Sequence, residues 1–204
     1  MKAIKIFGLP RSCTNLCEHF LKLNLKASII TNYPCWKHGR NSYFDKSIKL
    51  ENGHLCKDLK FVICSKKPID WLWSLYQFEK KSKKQVKTIE EFLTLPAWHY
   101  PEMNPIQAYN SLMKHWFDMF EDESKLQVFK FEDFINSPNE LIVNFSKQLD
   151  IELLSEEIKV PEERINPGLK VTDDFFVKNV CLFSNEQIKF INEQIDQELY
   201  NKIY

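Results

Sequence analysis

Two stretches of this chain combine residue types and spacing suited to holding an anion. The first is Gly8-Leu9-Pro10-Arg11-Ser12-Cys13-Thr14-Asn15, a turn between a short apolar run and a segment with helical periodicity. A loop that ends at a helix N-terminus gathers free backbone N–H groups and the positive end of the helix dipole, both of which favour an anion, and this one has the length of a phosphate-binding loop. Arg11 adds a permanent cation. Cys13-Thr14-Asn15 stands where a magnesium-nucleotide loop would close with Gly-Lys-Ser/Thr, so ATP hydrolysis is not expected. An ordinary turn with Arg11 and Thr14 merely solvated is the competing reading. The second stretch is Lys66-Lys67-Pro68-Ile69-Asp70-Trp71-Leu72-Trp73-Ser74, a cation after a buried strand and a serine six residues beyond the proline. It places an ammonium and a hydroxyl at one end of the sheet, where ligands bind in open parallel sheets. Solvated lysines and a helix-surface serine would give the same pattern.

The elements that must position these groups follow from periodicity. Ala3 to Phe7 reads as a strand, Cys13, Leu16, Cys17, Phe20 and Leu21 as one helix face, and Ala27 to Thr31 as a second strand. Lys60 to Cys64 reads as a buried strand, and Pro68 suits the first turn of a helix through Phe78. Thr88-x-x-Glu91 is a capping box for a short helix to Leu95. Asn104-Pro105 opens a longer helix whose face is Ile106, Tyr109, Met113, Trp116, Phe117 and Phe120. Gln127 to Phe131 is a further strand. Ser137-Pro138-Asn139-Glu140 supplies a cap, an N1 proline and a reciprocal glutamate for a helix over Leu141 to Leu149. Ser184 to Gln187 starts the last helix, with Ile188, Ile191, Ile195, Leu199 and Ile203 as its stripe. Strands alternating with helices predict an α/β fold, a parallel sheet flanked by helices. The chain is expected to form a single domain over residues 1–204, with residues 80–123 as a helical insertion on one edge of the sheet.

Composition limits the function classes. With 204 residues, 44% hydrophobic, 14% aromatic, four glycines and nine prolines, the chain can bury one core and does not read as disordered or fibrous. Lys plus Arg and Asp plus Glu are both 28, for a net charge of zero, so no global field draws it to nucleic acid or anionic lipid. Any anion site must be local. No apolar run approaches the ~18 residues of a membrane span, and Lys2, Lys5, Gly8 and Pro10 argue against a signal peptide, so a cytoplasmic protein is expected. Cys13, Cys17, Cys35, Cys56, Cys64 and Cys181 show no CxxC spacing and read as reduced thiols.

In these motifs the chain resembles the sulfotransferases, whose fold is related to that of the P-loop NTPases. The Pro-Arg-Ser-Cys-Thr-Asn loop is similar to that family's Pro-Lys/Arg-Ser-Gly-Thr-Thr loop, which holds the 5′-phosphosulfate of 3′-phosphoadenosine 5′-phosphosulfate (PAPS). Lys66 and Ser74 fall where the family has the Arg and Ser that bind the 3′-phosphate. Phe129-Lys130-Phe131-Glu132-Asp133-Phe134, followed by Pro138, is similar to its strand, Tyr-Glu-Asp and proline-led helix. The likeness spans about residues 3 to 150, in order. It departs at Cys13, where the family has glycine, and at Lys66, where a point charge replaces a bidentate fork.

The resemblance implies a PAPS-dependent sulfotransferase acting without a metal, with Arg11, Ser12, Cys13, Thr14, Asn15, Lys66 and Ser74 as the cofactor-binding set. Sulfuryl transfer needs a base for the acceptor hydroxyl and a cation for the departing phosphate. His38 is the candidate base, since it lies between the loop and the Lys66 strand as the family's catalytic histidine does. Arg11, with Lys37 second, is the candidate cation. The Gly-Leu-Pro-Arg-Ser-x-Thr-Asn wording and Trp36-Lys37-His38-Gly39 look like bacterial members that act on glycans, so a carbohydrate acceptor is the narrower expectation. Cys35-x-x-His38 with His54-x-Cys56 offers a competing zinc set of irregular spacing. Lys80, Lys81, Lys83, Lys84 and Lys87 read as solvated, although such a run could steer an acidic acceptor. Trp98, His99 and Tyr100 are acceptor-pocket candidates, whereas Tyr109 and Trp116 belong to a core stripe. Arg164 and Lys170 are candidates for a late contact to the 3′-phosphate. The rival functions are a kinase-like phosphotransferase and a degenerate nucleotide-binding member without turnover.

Overall fold

The computed structural model describes residues 2–31, 37–39, 48–49, 55–56, 58–81, 88–97, 100–119, 125–161 and 182–204. Cys35, Trp36, His54, Lys83, Lys84, Lys87, Trp98, His99, Phe120, Arg164, Lys170 and Cys181 lie outside the described residues, as does the side chain of Cys56.

Four strands form one parallel sheet: β1 (Ala3–Gly8), β2 (Ser28–Ile30), β5 (Leu59–Ser65) and β6 (Leu126–Lys130), in the order β2-β1-β5-β6. The short strands β3 (Ile48–Lys49) and β4 (Leu55–Cys56) pair antiparallel apart from it. The helices are α1 (Thr14–Asn24), α2 (Pro68–Lys81), α3 (Ile89–Thr94), α4 (Pro105–Asp118), α5 (Phe131–Asn136), α6 (Pro138–Gln148), α7 (Asn185–Gln194) and α8 (Gln197–Ile203). The α/β architecture expected from the alternating pattern is therefore the one observed.

Both central strands are mostly apolar, interrupted only by Lys5 in β1 and by Lys60 and Ser65 in β5, because both faces of the sheet are covered. On one face Ala3, Phe7, Phe61 and Ile63 meet Trp71 and Leu75 of α2, Tyr109 and Trp116 of α4, Ile191 of α7 and Leu199 of α8. On the other, Ile4, Ile6, Val62, Cys64 and Phe129 meet Phe20 and Leu21 of α1 and Ile142 and Phe145 of α6. Large side chains buried this fully contribute about 1.5–3 kcal/mol each. Residues 88–119, from the segment expected as a helical insertion, supply α3 and α4, and α4 lies against the sheet: its Trp116 stacks on Phe7 of β1 with centroids 6.0 Å apart. Tyr109 packs on Trp71 at 5.4 Å, so both aromatics belong to the core as expected.

Three local expectations differ. The strand expected to end at Phe131 stops at Lys130, and Phe131 begins α5, whose first turn carries Glu132 and Asp133; acidic groups favour a helix start there. Ser137 makes no side-chain cap for α6. Its backbone already closes α5, with its N–H on the Asp133 carbonyl at 2.8 Å. The final stripe belongs to two helices, because Asp196 caps a new one by accepting from the Leu199 N–H at 3.0 Å. The capping boxes at Thr88, Asn104 and Ser184 all form.

Candidate functional site

The carboxyl ends of β1 and β5 lie side by side, with Gly8 opposite Cys64 in the parallel register. Beyond Gly8 the chain makes a tight turn into α1, in which Arg11 (φ 70°) and Cys13 (φ 63°) are both left-handed. Ser12 closes the turn on Leu9, its N–H donating to the Leu9 carbonyl at 3.0 Å and its Oγ at 2.7 Å. Gly8 is required by crowding. A Cβ there would lie 2.6 Å from Ser12 Oγ, 2.8 Å from Thr14 Cγ2 and 2.9 Å from Cys64 Cβ.

Cys13 is the N-cap of α1 yet its side chain caps nothing, and the first turn of the helix contains no acidic residue. The opening N–H groups of α1 therefore keep their capacity for an external anion, with the dipole behind them. The Cys13 thiol is pushed well above its ordinary pKa, chiefly by burial, so it enters this surface as a neutral group. Arg11 is exposed and lays its guanidinium over the Phe78 ring at 5.2 Å. Thr14 is buried and Asn15 exposed.

Residues 37–39 bracket the same turn. The Gly8 N–H donates to the Lys37 carbonyl at 3.1 Å, and His38 bonds the Gly8 carbonyl through Nδ1. The nearly buried Lys37 gives its ammonium to Asn15 Oδ1, and burial lowers its pKa. Trp116 Nε1 donates to the Gly39 carbonyl at 3.3 Å, which fixes this segment to α4.

Lys66 follows β5 directly and is buried, its ammonium over the Phe131 ring at 4.9 Å. Desolvation lowers its pKa, while the neighbouring Asp70 and Glu132 carboxylates pull the other way. The Arg11 charge also reaches it, and Cys13 is close enough to influence its titration, so the turn and the second cation share one neighbourhood. Ser74 lies on the half-buried side of α2, away from the head of that helix. The structure thus brings together Arg11, Ser12, Cys13, Thr14, Asn15, Lys37, His38 and Lys66. Ser12 and Lys37 already have internal partners. Tyr100 is buried in the core, which does not mark it as an acceptor contact. Cys13, Cys17 and Cys64 are free thiols. Lys80 and Lys81 are exposed, with Lys80 over the Tyr76 ring at 5.8 Å.

Sequence reasoning missed three parts of this site. Trp71 reads as helix core, yet its indole reaches the turn. Glu132, which the sequence presents only as part of the Phe131-Glu132-Asp133 run, acts electrostatically on Lys66. Tyr204 bonds Ser65 Oγ through its hydroxyl at 2.8 Å, a contact between residues far apart in sequence that no local pattern announces.

A four-stranded parallel sheet flanked by helices, with a left-handed turn after β1, defines an α/β architecture, and the fold is that of the sulfotransferases. The chain matches mouse sulfotransferase SULT7A1, a complex with PAP, over 98% of its length and 84% of that protein's, with a TM-score of 0.53 and 11% identity. The sulfotransferase from Alicyclobacillus acidocaldarius aligns with 71% of this chain at 18% identity and a TM-score of 0.38, and this chain spans 59% of that protein. No protein-family model and no curated protein matches the sequence. No helix among the described residues is long and apolar enough to cross a membrane.

Proposed function

We propose that this protein is a sulfotransferase that binds PAPS and passes its sulfuryl group to an acceptor hydroxyl, with a carbohydrate as the acceptor class. The observation that carries this reading is the meeting of an uncapped α1 N-terminus, behind a left-handed turn, with the buried Lys66 at the end of the adjacent strand. The lack of an acidic residue in the first turn of α1 fits a bound polyanion. The cosubstrate supplies an activated sulfuryl group, and the residues of this chain hold it and manage the proton.

In this assignment the N–H groups opening α1, with Ser12 to Asn15, hold the phosphosulfate end, and Lys66 with Ser74 holds the 3′-phosphate. Arg11 is placed to balance charge on the departing phosphate oxygen. His38 is the base. With its Nδ1–H donated to the Gly8 carbonyl, a neutral ring carries its lone pair on Nε2, the atom that takes the acceptor's proton. Lys37 acts through Asn15 and sets the same segment in place.

The test is thermal unfolding with adenosine 3′,5′-bisphosphate, with ADP, and with ATP plus magnesium. A ligand at 100 times its dissociation constant adds about 2.7 kcal/mol to stability, so the bisphosphate alone should raise the melting temperature clearly. Arg11→Ala should remove sulfate transfer, and Lys66→Ala should remove both transfer and the shift. A larger shift with ATP and magnesium would favour a kinase-like phosphotransferase. Tight bisphosphate binding without transfer to any of a broad acceptor panel would favour a binding protein without turnover.

A further inference from the structure

Glu132, in the first turn of α5, is with Asp70 one of the two carboxylates acting on Lys66, and it has no part in the assignment above. Its Oε1 accepts the Lys67 N–H at 2.8 Å. Its Oε2 is buried and has no hydrogen-bond partner among the described residues. A buried carboxylate oxygen without a donor is costly as an ion, and burial accordingly pushes the Glu132 carboxyl above its ordinary pKa.

The groups around it come from every packed element. Lys66 and Lys67 face it from the β5–α2 connection, Asp70 from α2, and Cys13 from the turn. Tyr109 of α4 and Tyr204 beyond α8 face it as well. Both phenols are pushed upward, chiefly by burial, and stay protonated. Lys130 of β6 lies over the Tyr204 ring at 5.6 Å. Glu132 therefore lies within electrostatic reach of both the Lys66 cation and Cys13 at the cap of α1, the two elements assigned above to the two ends of a polyanionic nucleotide. In the ligand-free site its negative charge balances Lys66. Once phosphate groups face Lys66 and α1, the same charge opposes them across a poorly solvated space.

We propose that Glu132 takes up a proton from solvent, forming an O–H at Oε2, when a nucleotide carrying two phosphates fills this site. Anion binding is then linked to protonation, and nucleotide affinity rises as pH falls through the titration of Glu132. The proposal rests on the nucleotide reading of the site and assigns it a pH-dependent gate on affinity.

The experiment is calorimetric titration of the full chain with adenosine 3′,5′-bisphosphate, in two buffers of different ionisation enthalpy, near pH 6 and near pH 8. The difference between buffers counts protons exchanged. The ligand's own phosphates release protons on binding a cationic site, so the comparison is with Glu132→Gln, whose amide oxygen can still accept the Lys67 N–H. Wild type should take up more protons than the variant near pH 6 and the same number near pH 8. The dissociation constant of wild type should weaken several-fold relative to the variant between those pH values. Equal proton counts in wild type and Glu132→Gln at both pH values would overturn the proposal. No heat of binding in either protein would overturn the nucleotide reading itself, a result distinct from binding without proton uptake.

Discussion

The indole Nε1 of Trp71 donates to the carbonyl of Pro10 across 2.8 Å, and this bond ties the first turn of α2 to the summit of the left-handed turn after β1. Trp71 is fully buried, so its position is fixed by the core, and the core thereby dictates where Arg11 begins. Trp71→Phe keeps most of the apolar contact and removes the donor, leaving the Pro10 carbonyl unsatisfied. Loss of a buried partner costs about 1–3 kcal/mol. Urea unfolding should show that loss, and the bisphosphate-induced melting shift should shrink as well, because the turn loses its anchor.

Gly8→Ala tests the crowding beneath the turn. Its Cβ would meet Ser12 Oγ at 2.6 Å and Cys64 Cβ at 2.9 Å, and the latter belongs to a packed strand that cannot retreat. Overpacking of this kind costs about 1–3 kcal/mol. The urea midpoint should fall at an unchanged m-value, and transfer activity should fall further than stability does, since Ser12 must move with the turn.

Much of this architecture is legible in the sequence, for identifiable reasons. The largely apolar runs of β1 and β5, the Thr88 capping box, the Ser184 cap with its reciprocal Gln187, and the helix starts at Pro68 and Asn104-Pro105 are local signals with local causes, and the structure realises them. The turn and Lys66 were legible because residue types at a strand end carry chemistry by themselves. The misses are tertiary. Ser137 has the sequence of a cap, but a preceding helix already fixes its backbone. Asp196 divides a stripe that looks continuous, because Ile191 and Leu199 reach the same core from two helices. Nothing near Glu132 or Tyr204 in the sequence indicates that they converge on β5.

Cys13 occupies a left-handed position, φ 63° and ψ 22°, that non-glycine residues adopt at a cost of about 1–2 kcal/mol. Cys13→Gly removes that cost but adds freedom to the unfolded chain, so its stability should stay within about 1 kcal/mol of wild type. Cys13→Val, β-branched and stiff, should lose about 1–2 kcal/mol or more. Equal stability of the two variants in urea would show that backbone conformation does not govern this position. Tighter bisphosphate binding by Cys13→Gly is expected, because the backbone can then approach a phosphate without a Cβ in the way.

The raised pKa of Glu132 makes a separate prediction about stability without ligand. In the unfolded chain a glutamate titrates near about 4.3, whereas burial holds the folded carboxyl above its ordinary value. Over the interval between the two values the folded state binds the proton that the unfolded state has lost, so rising pH works against folding there. The contribution is complete below the unfolded value and is lost as pH rises through the folded one. Lys66 gives the opposite slope, since its pKa is lowered by burial, but its window lies on the alkaline side, below the unfolded lysine value of about 10.4. Glu132→Gln carries no titrating group at this position. Urea midpoints measured from about pH 4 to about pH 8 should therefore show wild type losing stability relative to Glu132→Gln as pH rises, with the difference levelling once the folded carboxyl is ionised. A constant difference across that range would mean that Glu132 titrates alike in the folded and unfolded chains.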